Sequence, residues 1–222
     1  IGDGFSGLIT EARLADVNLS EAEVYTLYDV AVRREEVAGG GADIVFLIDT
    51  SGTMAGAIDQ VKNNVINFTN QLEEEGIDFQ LGLVDYVDYY ASPPSMTTFG
   101  FTQDVLQYQQ WVQDLDTLGG FEPGTAALMY GLVPENYDPS FRARATKTFI
   151  IVTDEPIDQG WPTGMPAPYT GEMSVDDVTN ELIAQEVTTF TILDISGFFG
   201  GDPDGDGDGQ PDGKEIAEAT GG

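Results

Sequence analysis

The chain has 222 residues, of which 39 are Asp or Glu and 8 are Lys or Arg, giving a formal net charge of -31. This charge excludes nucleic acid as a partner and disfavours anionic membrane surfaces, because both would repel the chain. Cysteine and histidine are absent, which excludes disulfides, zinc–thiolate sites and catalysis by thiol or imidazole groups.

The charge also sets an expectation about the surroundings of the protein. Self-repulsion on this scale destabilises a compact chain unless cations or salt screen it, and at about 1 M salt the Debye length falls to roughly 3 Å. We therefore expect a saline environment, as in halophiles. No apolar run reaches about 18 residues, so we expect no membrane insertion. The chain begins at Ile1 without a signal peptide, which suggests an internal piece of a larger precursor.

Residues 1–38 differ in pattern from the rest of the chain. Residues 5–14 are typical of a strand, and Ser20 with Glu23 forms a capping box at the start of a short amphipathic helix. Together they resemble the closing segment of a laminin-G-like (concanavalin A-like) module. We expect either the tail of such a module or an N-terminal extension that packs on the main domain.

Three glycines at 39–41 predict a flexible hinge, and residues 42–222 form the main domain. After the hinge, strands and helices alternate, and two of the strands are unbroken apolar runs. We predict strands at 43–49, 79–86, 96–101, 148–153 and 188–195, and helices at 55–75, 103–115, 125–133 and 174–186. This order predicts a doubly wound α/β fold with a mostly parallel sheet flanked by helices.

The loop after the first strand of this domain carries oxygen ligands. The apolar run 44–48 leads into Asp49, and Ser51 and Thr53 follow at alternate positions. Open α/β sheets bind ligands at the carboxyl ends of their strands, and carboxylate and hydroxyl oxygens suit a small divalent cation. The same residue types are common helix N-caps, so this segment alone predicts either a cation site or a capped helix.

Two further loops carry related motifs. Paired glycines at 119–120 precede an Ala-Ala-Leu helix, and residues 150–154 read Ile-Ile-Val-Thr-Asp. Together with Asp-x-Ser-Gly-Thr at 49–53, these motifs resemble the von Willebrand factor type A (vWA) domain with its metal-ion-dependent adhesion site. The Gly-x-Val-x-Tyr-x-Asp motif at 82–88 and the last helix at 215–222 agree. The resemblance covers the main domain and implies a Rossmann-like vWA fold.

The resemblance implies a role for the polar residues of these loops. Asp49 would hold the cation mainly through water, and Asp154 would supply the second carboxylate. Ser51 and Thr53 would bind the cation through their hydroxyls. The implied cation is Mg²⁺, or alternatively Mn²⁺ or Ca²⁺, and the implied partner is a protein that offers an Asp or Glu carboxylate.

The second loop departs from the family pattern. Many members place Thr directly after the paired glycines, where this chain has Phe121. A subgroup reads Gly-Gly-x-Asp, which implies Glu122 as the ligand. Thr125 is the competing candidate, with a helix N-cap as its alternative role. If Glu122 is a ligand, a third carboxylate on the cation would weaken the binding of an acidic partner.

An acidic segment before the last helix predicts a second cation site. Residues 204–215 match the twelve-residue calcium loop, with acids at the expected positions and Gly at the sixth. They resemble EF-hand and thrombospondin type 3 loops, as an insertion at 202–215. The predicted Ca²⁺ ligands are Asp204, Asp206, Asp208, Gln210, Asp212 and Glu215. The alternative is a solvated acidic linker.

These motifs predict an extracellular or cell-surface, metal-dependent module for protein binding and adhesion. The alternative is a structural subunit of an extracellular filament or surface layer, in which cations give rigidity and the partners are neighbouring copies. Family members usually have one more strand after Gly222, so we expect either truncation or strand exchange between copies. No nucleophile–base motif, P-loop or dinucleotide fingerprint is present, and we expect no enzymatic activity.

Overall fold

The computed structural model describes residues 12–13, 41–87, 95–120, 124–133, 140–155, 157, 174–193 and 212–222; for residues 12, 13, 95 and 193 it gives the backbone alone. None of the helices in these ranges combines the length and the hydropathy needed to cross a membrane.

The strands form one mostly parallel sheet. They are β1 (Ala12–Arg13), β2 (Ala42–Asp49), β3 (Phe79–Val87), β4 (Ser95–Thr102), β5 (Thr146–Thr153) and β6 (Val187–Leu193). Their order in the sheet is β1-β6-β5-β2-β3-β4, and β4 is antiparallel to β3, whereas the other neighbours are parallel. The predicted fold is confirmed, and each strand predicted in the main domain lies within two residues of the observed one.

Helices cover both faces of this sheet. They are α1 (Ile58–Glu74), α2 (Val105–Gln113), α3 (Gly124–Gly131), α4 (Val175–Ala184) and α5 (Asp212–Thr220), and a 3₁₀ turn (Thr53–Gly56) precedes α1. In β2, Ile44, Phe46 and Ile48 pack in one cluster with α1 and α2. Val45 and Leu47 pack in the other, with α3, α4 and α5. Burial on both faces explains the unbroken apolar run.

Arg142 ties together the amino ends of the central strands. Its backbone N–H and its Nε each donate a hydrogen bond of 2.6 Å to the carboxylate of Asp43, which is fully buried. Its Nη1 donates to Asp78 at 2.6 Å. Burial raises the pKa of Asp43, while the hydrogen bonds and charge of Arg142 lower it. Gly41 has φ +81° and lies so close that a Cβ would be 2.7 Å from Arg142 Nη2. The start of the domain therefore requires glycine.

Residues from the N-terminal segment join the sheet at its outer edge. Ala12 lies opposite Ile192 and Arg13 opposite Leu193, parallel to β6. The rest of residues 1–38, including the predicted helix and the laminin-G-like pattern, lies outside the described residues, as do the first two glycines of the predicted hinge.

Candidate metal centre

Strand β2 ends at Asp49, at the carboxyl edge of the sheet. The Asp49 side chain is buried. Its Oδ1 accepts a hydrogen bond of 2.8 Å from the backbone N–H of Ser51, and its Oδ2 accepts one of 2.7 Å from the hydroxyl of Thr153 at the end of β5. These two donors fix the orientation of the carboxylate between two neighbouring parallel strands.

Two hydroxyls and a second carboxylate lie next to each other on the same loops. Ser51 Oγ and Thr53 Oγ1 are 2.8 Å apart, and Thr53 Oγ1 donates to Asp154 Oδ1 at 3.1 Å. Ser51 is buried, whereas Thr53 is exposed and Asp154 is partly exposed. The structure thus brings together four of the five residues predicted for the adhesion site. The fifth, Glu122, lies outside the described residues.

The spacing of these oxygens matches that of ligands around a small cation. In octahedral coordination at about 2.0–2.1 Å, adjacent ligand oxygens lie about 2.9 Å apart, since their separation is √2 times the bond length. The separations of 2.8 and 3.1 Å lie on either side of that value. Within the described ranges, no three acidic side chains form a group that could hold a metal ion. Among the described residues at this point, the hydroxyls of Ser51 and Thr53 are the oxygens that lie next to the carboxylate of Asp154.

The residues of the first loop do not cap a helix. Gly52 is the N-cap of the 3₁₀ turn and Ala57 that of α1, and neither end has a side-chain capping hydrogen bond. The capping interpretation of Asp49, Ser51 and Thr53 is therefore wrong. Their side chains instead bond within the first loop and to the ends of neighbouring strands.

Backbone hydrogen bonds hold the second loop against the first. The N–H of Leu118 donates to the carbonyl of Thr50 at 2.9 Å, and the N–H of Gly52 donates to the carbonyl of Gly119 at 3.0 Å. A Cβ on Gly52 would lie 2.9 Å from that same carbonyl oxygen. The glycine of the Asp-x-Ser-Gly-Thr motif is thus required for the two loops to approach each other.

The second loop contains two candidate ligands. Thr125 is fully buried inside α3, which begins at Gly124, and its N–H donates to the carbonyl of Ile157 at 3.0 Å. Its alternative role as an N-cap is wrong, because it follows the first residue of the helix. Thr125 stays a candidate ligand together with Glu122.

Thr50 connects the first loop to the next strand of the sheet. Its hydroxyl donates a hydrogen bond to Asp85 Oδ1, and its backbone N–H donates to the carbonyl of Tyr86 at 3.1 Å. Burial raises the pKa of Asp85, and the hydrogen bond from Thr50 lowers it. Sequence reasoning missed both Thr50 and Thr153. Their positions could have indicated their role. Thr50 directly follows β2 and Thr153 is the last residue of β5, and each is adjacent in sequence to a predicted ligand.

A family model for the von Willebrand factor type A domain matches residues 43–205. The chain belongs to the von Willebrand factor type A family. The match includes the loops that carry Asp49 and Asp154, and it stops inside the predicted calcium loop.

Individual vWA relatives are distant. The chain is 21% identical over 154 residues to alpha-protein kinase vwkA of Dictyostelium discoideum, covering 67% of this chain and 24% of that protein. Its structure resembles the pilus adhesin SpaC of Lactobacillus rhamnosus GG in the open conformation, with 13% identity, a TM-score of 0.51 and coverage of 68% and 24%. It also resembles proximal thread matrix protein 1 of the mussel byssus with a zinc-occupied MIDAS motif, with 18% identity, a TM-score of 0.51 and coverage of 69% and 36%. The likenesses to solved structures show the fold, and the chain spans between 24% and 36% of these three proteins.

The predicted calcium loop extends beyond the vWA match into the last helix. Asp212 and Glu215 both lie in the first turn of α5, and Asp212 is buried. Being three positions apart, they lie on the same side of that helix. The other four predicted ligands, Asp204, Asp206, Asp208 and Gln210, lie outside the described residues.

Proposed function

We propose that this vWA domain is an extracellular, cation-dependent protein-binding module. The observation that carries the proposal is the cluster of Ser51, Thr53 and Asp154, whose oxygens are spaced like ligands of a small dication. In this proposal the two hydroxyls and Asp154 bind Mg²⁺, or Mn²⁺ or Ca²⁺, directly. Asp49 acts mainly through water, and the hydrogen bonds that its two oxygens accept fix its orientation.

The charge of the chain explains why a cation is needed for an acidic partner. A chain with a net charge of -31 repels an Asp or Glu side chain that approaches it. A bound dication supplies the positive charge that attracts such a carboxylate. Ser51 and Thr53 are neutral ligands, so they hold the cation without cancelling that attraction. Binding of the partner is therefore expected to require the cation.

The similar proteins support the proposed location, the role in adhesion and the bound cation. A pilus adhesin and a matrix protein of the mussel byssus share the fold, which favours an extracellular or cell-surface location and a role in adhesion. The zinc-occupied MIDAS motif of the byssus protein favours a divalent cation at the corresponding loops. We further propose that residues 204–215 bind Ca²⁺, that the environment is saline, and that this domain is not an enzyme.

A structural subunit of an extracellular filament or surface layer is the second candidate function. The pairing of Ala12 and Arg13 with β6 favours it, because this edge of the sheet accepts a strand from outside the main domain. The corresponding segment of a neighbouring copy would pair in the same way. This candidate predicts oligomers of the isolated chain at high concentration in sedimentation experiments, whereas the binding module predicts monomers with and without Ca²⁺.

Calorimetric titration with Mg²⁺, Mn²⁺ and Ca²⁺ tests the cation site. All proteins should carry Asp204→Asn and Asp206→Asn, which remove the signal of the calcium loop. Asp154→Asn should weaken cation binding at least about tenfold. The matched control is Glu74→Gln, which removes one charge at the exposed last turn of α1. Equal affinity of Asp154→Asn and the control would refute the site.

A peptide array tests the partner. Each peptide is presented twice, once with Asp and once with Asn at a single position. The proposal predicts that Mn²⁺ promotes binding to Asp-containing members and that EDTA releases them. Binding that persists in EDTA, or that does not distinguish Asp from Asn, would contradict carboxylate recognition through a cation.

A further inference from the structure

Each polar group of Thr50 makes a hydrogen bond, although Thr50 is not among the predicted cation ligands. Its N–H donates to the carbonyl of Tyr86 at 3.1 Å, and its own carbonyl accepts from the N–H of Leu118 at 2.9 Å. Its hydroxyl donates to Asp85 Oδ1. Thr50 itself is buried, and its hydrogen bond to the partly exposed Asp85 is partly buried. One residue thus joins the first loop to β3 and to the second loop.

The register of the sheet explains why Asp85 meets Thr50. Ile48 lies opposite Asp85 in the parallel β2–β3 pair. Side chains alternate along a strand, so a residue two positions after Ile48 continues on the same face. Thr50 occupies that position. An ionised carboxylate only accepts hydrogen bonds, which fixes the Thr50 hydroxyl as the donor and selects one side-chain rotamer of this β-branched residue.

We propose that Asp85 is a positioning residue of the cation site and acts through Thr50; this inference rests on the proposed function. Asp49 and Ser51 are the chain neighbours of Thr50, so a rotation of the backbone at Thr50 displaces both. The hydrogen bond to Asp85 holds that backbone in place from the neighbouring strand β3. The site is therefore formed in advance and does not have to order this loop when the cation binds.

Two pairs of variants separate the hydrogen bond from other effects. Thr50→Val removes the hydroxyl at nearly constant shape, and Thr50→Ser keeps it. Asp85→Ala removes the acceptor, and Asp85→Asn keeps an acceptor oxygen without the charge. Mn²⁺ affinity is measured by calorimetry in the background that lacks the calcium loop, and the melting temperature is measured in EDTA. Glu74→Gln serves again as the control.

The inference predicts that Thr50→Val and Asp85→Ala each weaken Mn²⁺ binding about tenfold or more. Thr50→Ser and Asp85→Asn should recover most of this loss. The double variant Thr50→Val/Asp85→Ala should lose no more affinity than the weaker-binding single variant, because both remove the same hydrogen bond. Thr50→Val and Asp85→Ala should also lower the melting temperature in EDTA, because the hydrogen bond contributes to stability. Mn²⁺ affinity is therefore compared at a temperature at which every variant is folded.

Other results overturn the inference in distinguishable ways. If the wild type binds no Mn²⁺, the proposed function fails and this inference fails with it. If the wild type binds and Asp85→Ala binds equally well, only the positioning role fails. If Asp85→Asn binds as weakly as Asp85→Ala, the carboxylate acts through its charge rather than through Thr50. Fully additive losses in the double variant would likewise refute a shared hydrogen bond.

Discussion

Replacing Thr153 by Val tests how the Asp49 carboxylate is held. The Thr153 hydroxyl donates 2.7 Å to Asp49 Oδ2 and accepts 3.0 Å from the N–H of Glu155, and the side chain is buried. A hydrogen bond to a charged group contributes about 1.5–3 kcal/mol, and the one from the amide about 1 kcal/mol. The added methyl group returns about 0.8 kcal/mol. We expect Thr153→Val to lower the free energy of unfolding by about 2–3 kcal/mol.

Urea unfolding in EDTA, followed by circular dichroism, measures this change without any contribution from bound cations. For a domain of this size, the loss corresponds to a fall in melting temperature of about 5–10 °C. Thr153→Ser is the matched control, because it keeps both hydrogen bonds and loses one methyl group, a cost of about 0.8 kcal/mol. If Thr153→Val is as stable as Thr153→Ser, the hydroxyl does not hold Asp49 and the description of the site is wrong.

Three further predictions concern the cation, the buried ion pair and pH. Mg²⁺ at about 100 times its dissociation constant should stabilise the wild type by about 2.7 kcal/mol. In a thermal shift assay the melting temperature should then rise by about 5–11 °C, and it should rise less in Asp154→Asn. Arg142→Met should lower the free energy of unfolding in urea titrations by about 3–5 kcal/mol, because it leaves Asp43 buried without its charged partner; unchanged stability would contradict this. Burial raises the folded-state pKa of Asp85 above 3.8, so the stability that this group contributes is complete below that value and is lost as the pH rises through the folded-state pKa. In EDTA, Asp85→Asn should therefore gain stability relative to the wild type as the pH rises above 3.8, and a constant difference across the titration would refute it.

The fold could be predicted because its signal is local. A strand such as β2, covered by helices on both faces, has to be apolar at consecutive positions, and residues 44–48 show this without reference to any other part of the chain. The position of Asp49 beside the end of β5, where Thr153 bonds to it, also followed, because parallel strands end at a common edge of the sheet. Both inferences need the order and type of the elements but not their register.

The contacts that hold the site together depend on how neighbouring strands are aligned, and this alignment could not be predicted from the sequence. Thr50 bonds to Asp85 because Ile48 lies opposite Asp85, and this alignment is set by packing along the whole strand pair. Arg142 bonds to Asp43 across 99 positions of sequence. The capping interpretation of the first loop failed for the same reason. Residue type predicts a cap, but the side chains of the loop bond to each other and to Thr153 and Asp154 at the end of β5.

If the partner is acidic, as proposed, its negative charge explains why the site combines two carboxylates with two hydroxyls. Asp49 and Asp154 together balance the charge of one dication, and the carboxylate of the proposed partner would then add a negative charge to a chain that already carries -31. Each further acidic ligand would weaken the attraction of the cation for that carboxylate. Ser51 and Thr53 avoid this cost, because hydroxyls fill coordination positions without adding charge. The same reasoning favours Thr125 over Glu122 as the ligand from the second loop if tight binding of an acidic partner is the function of the domain.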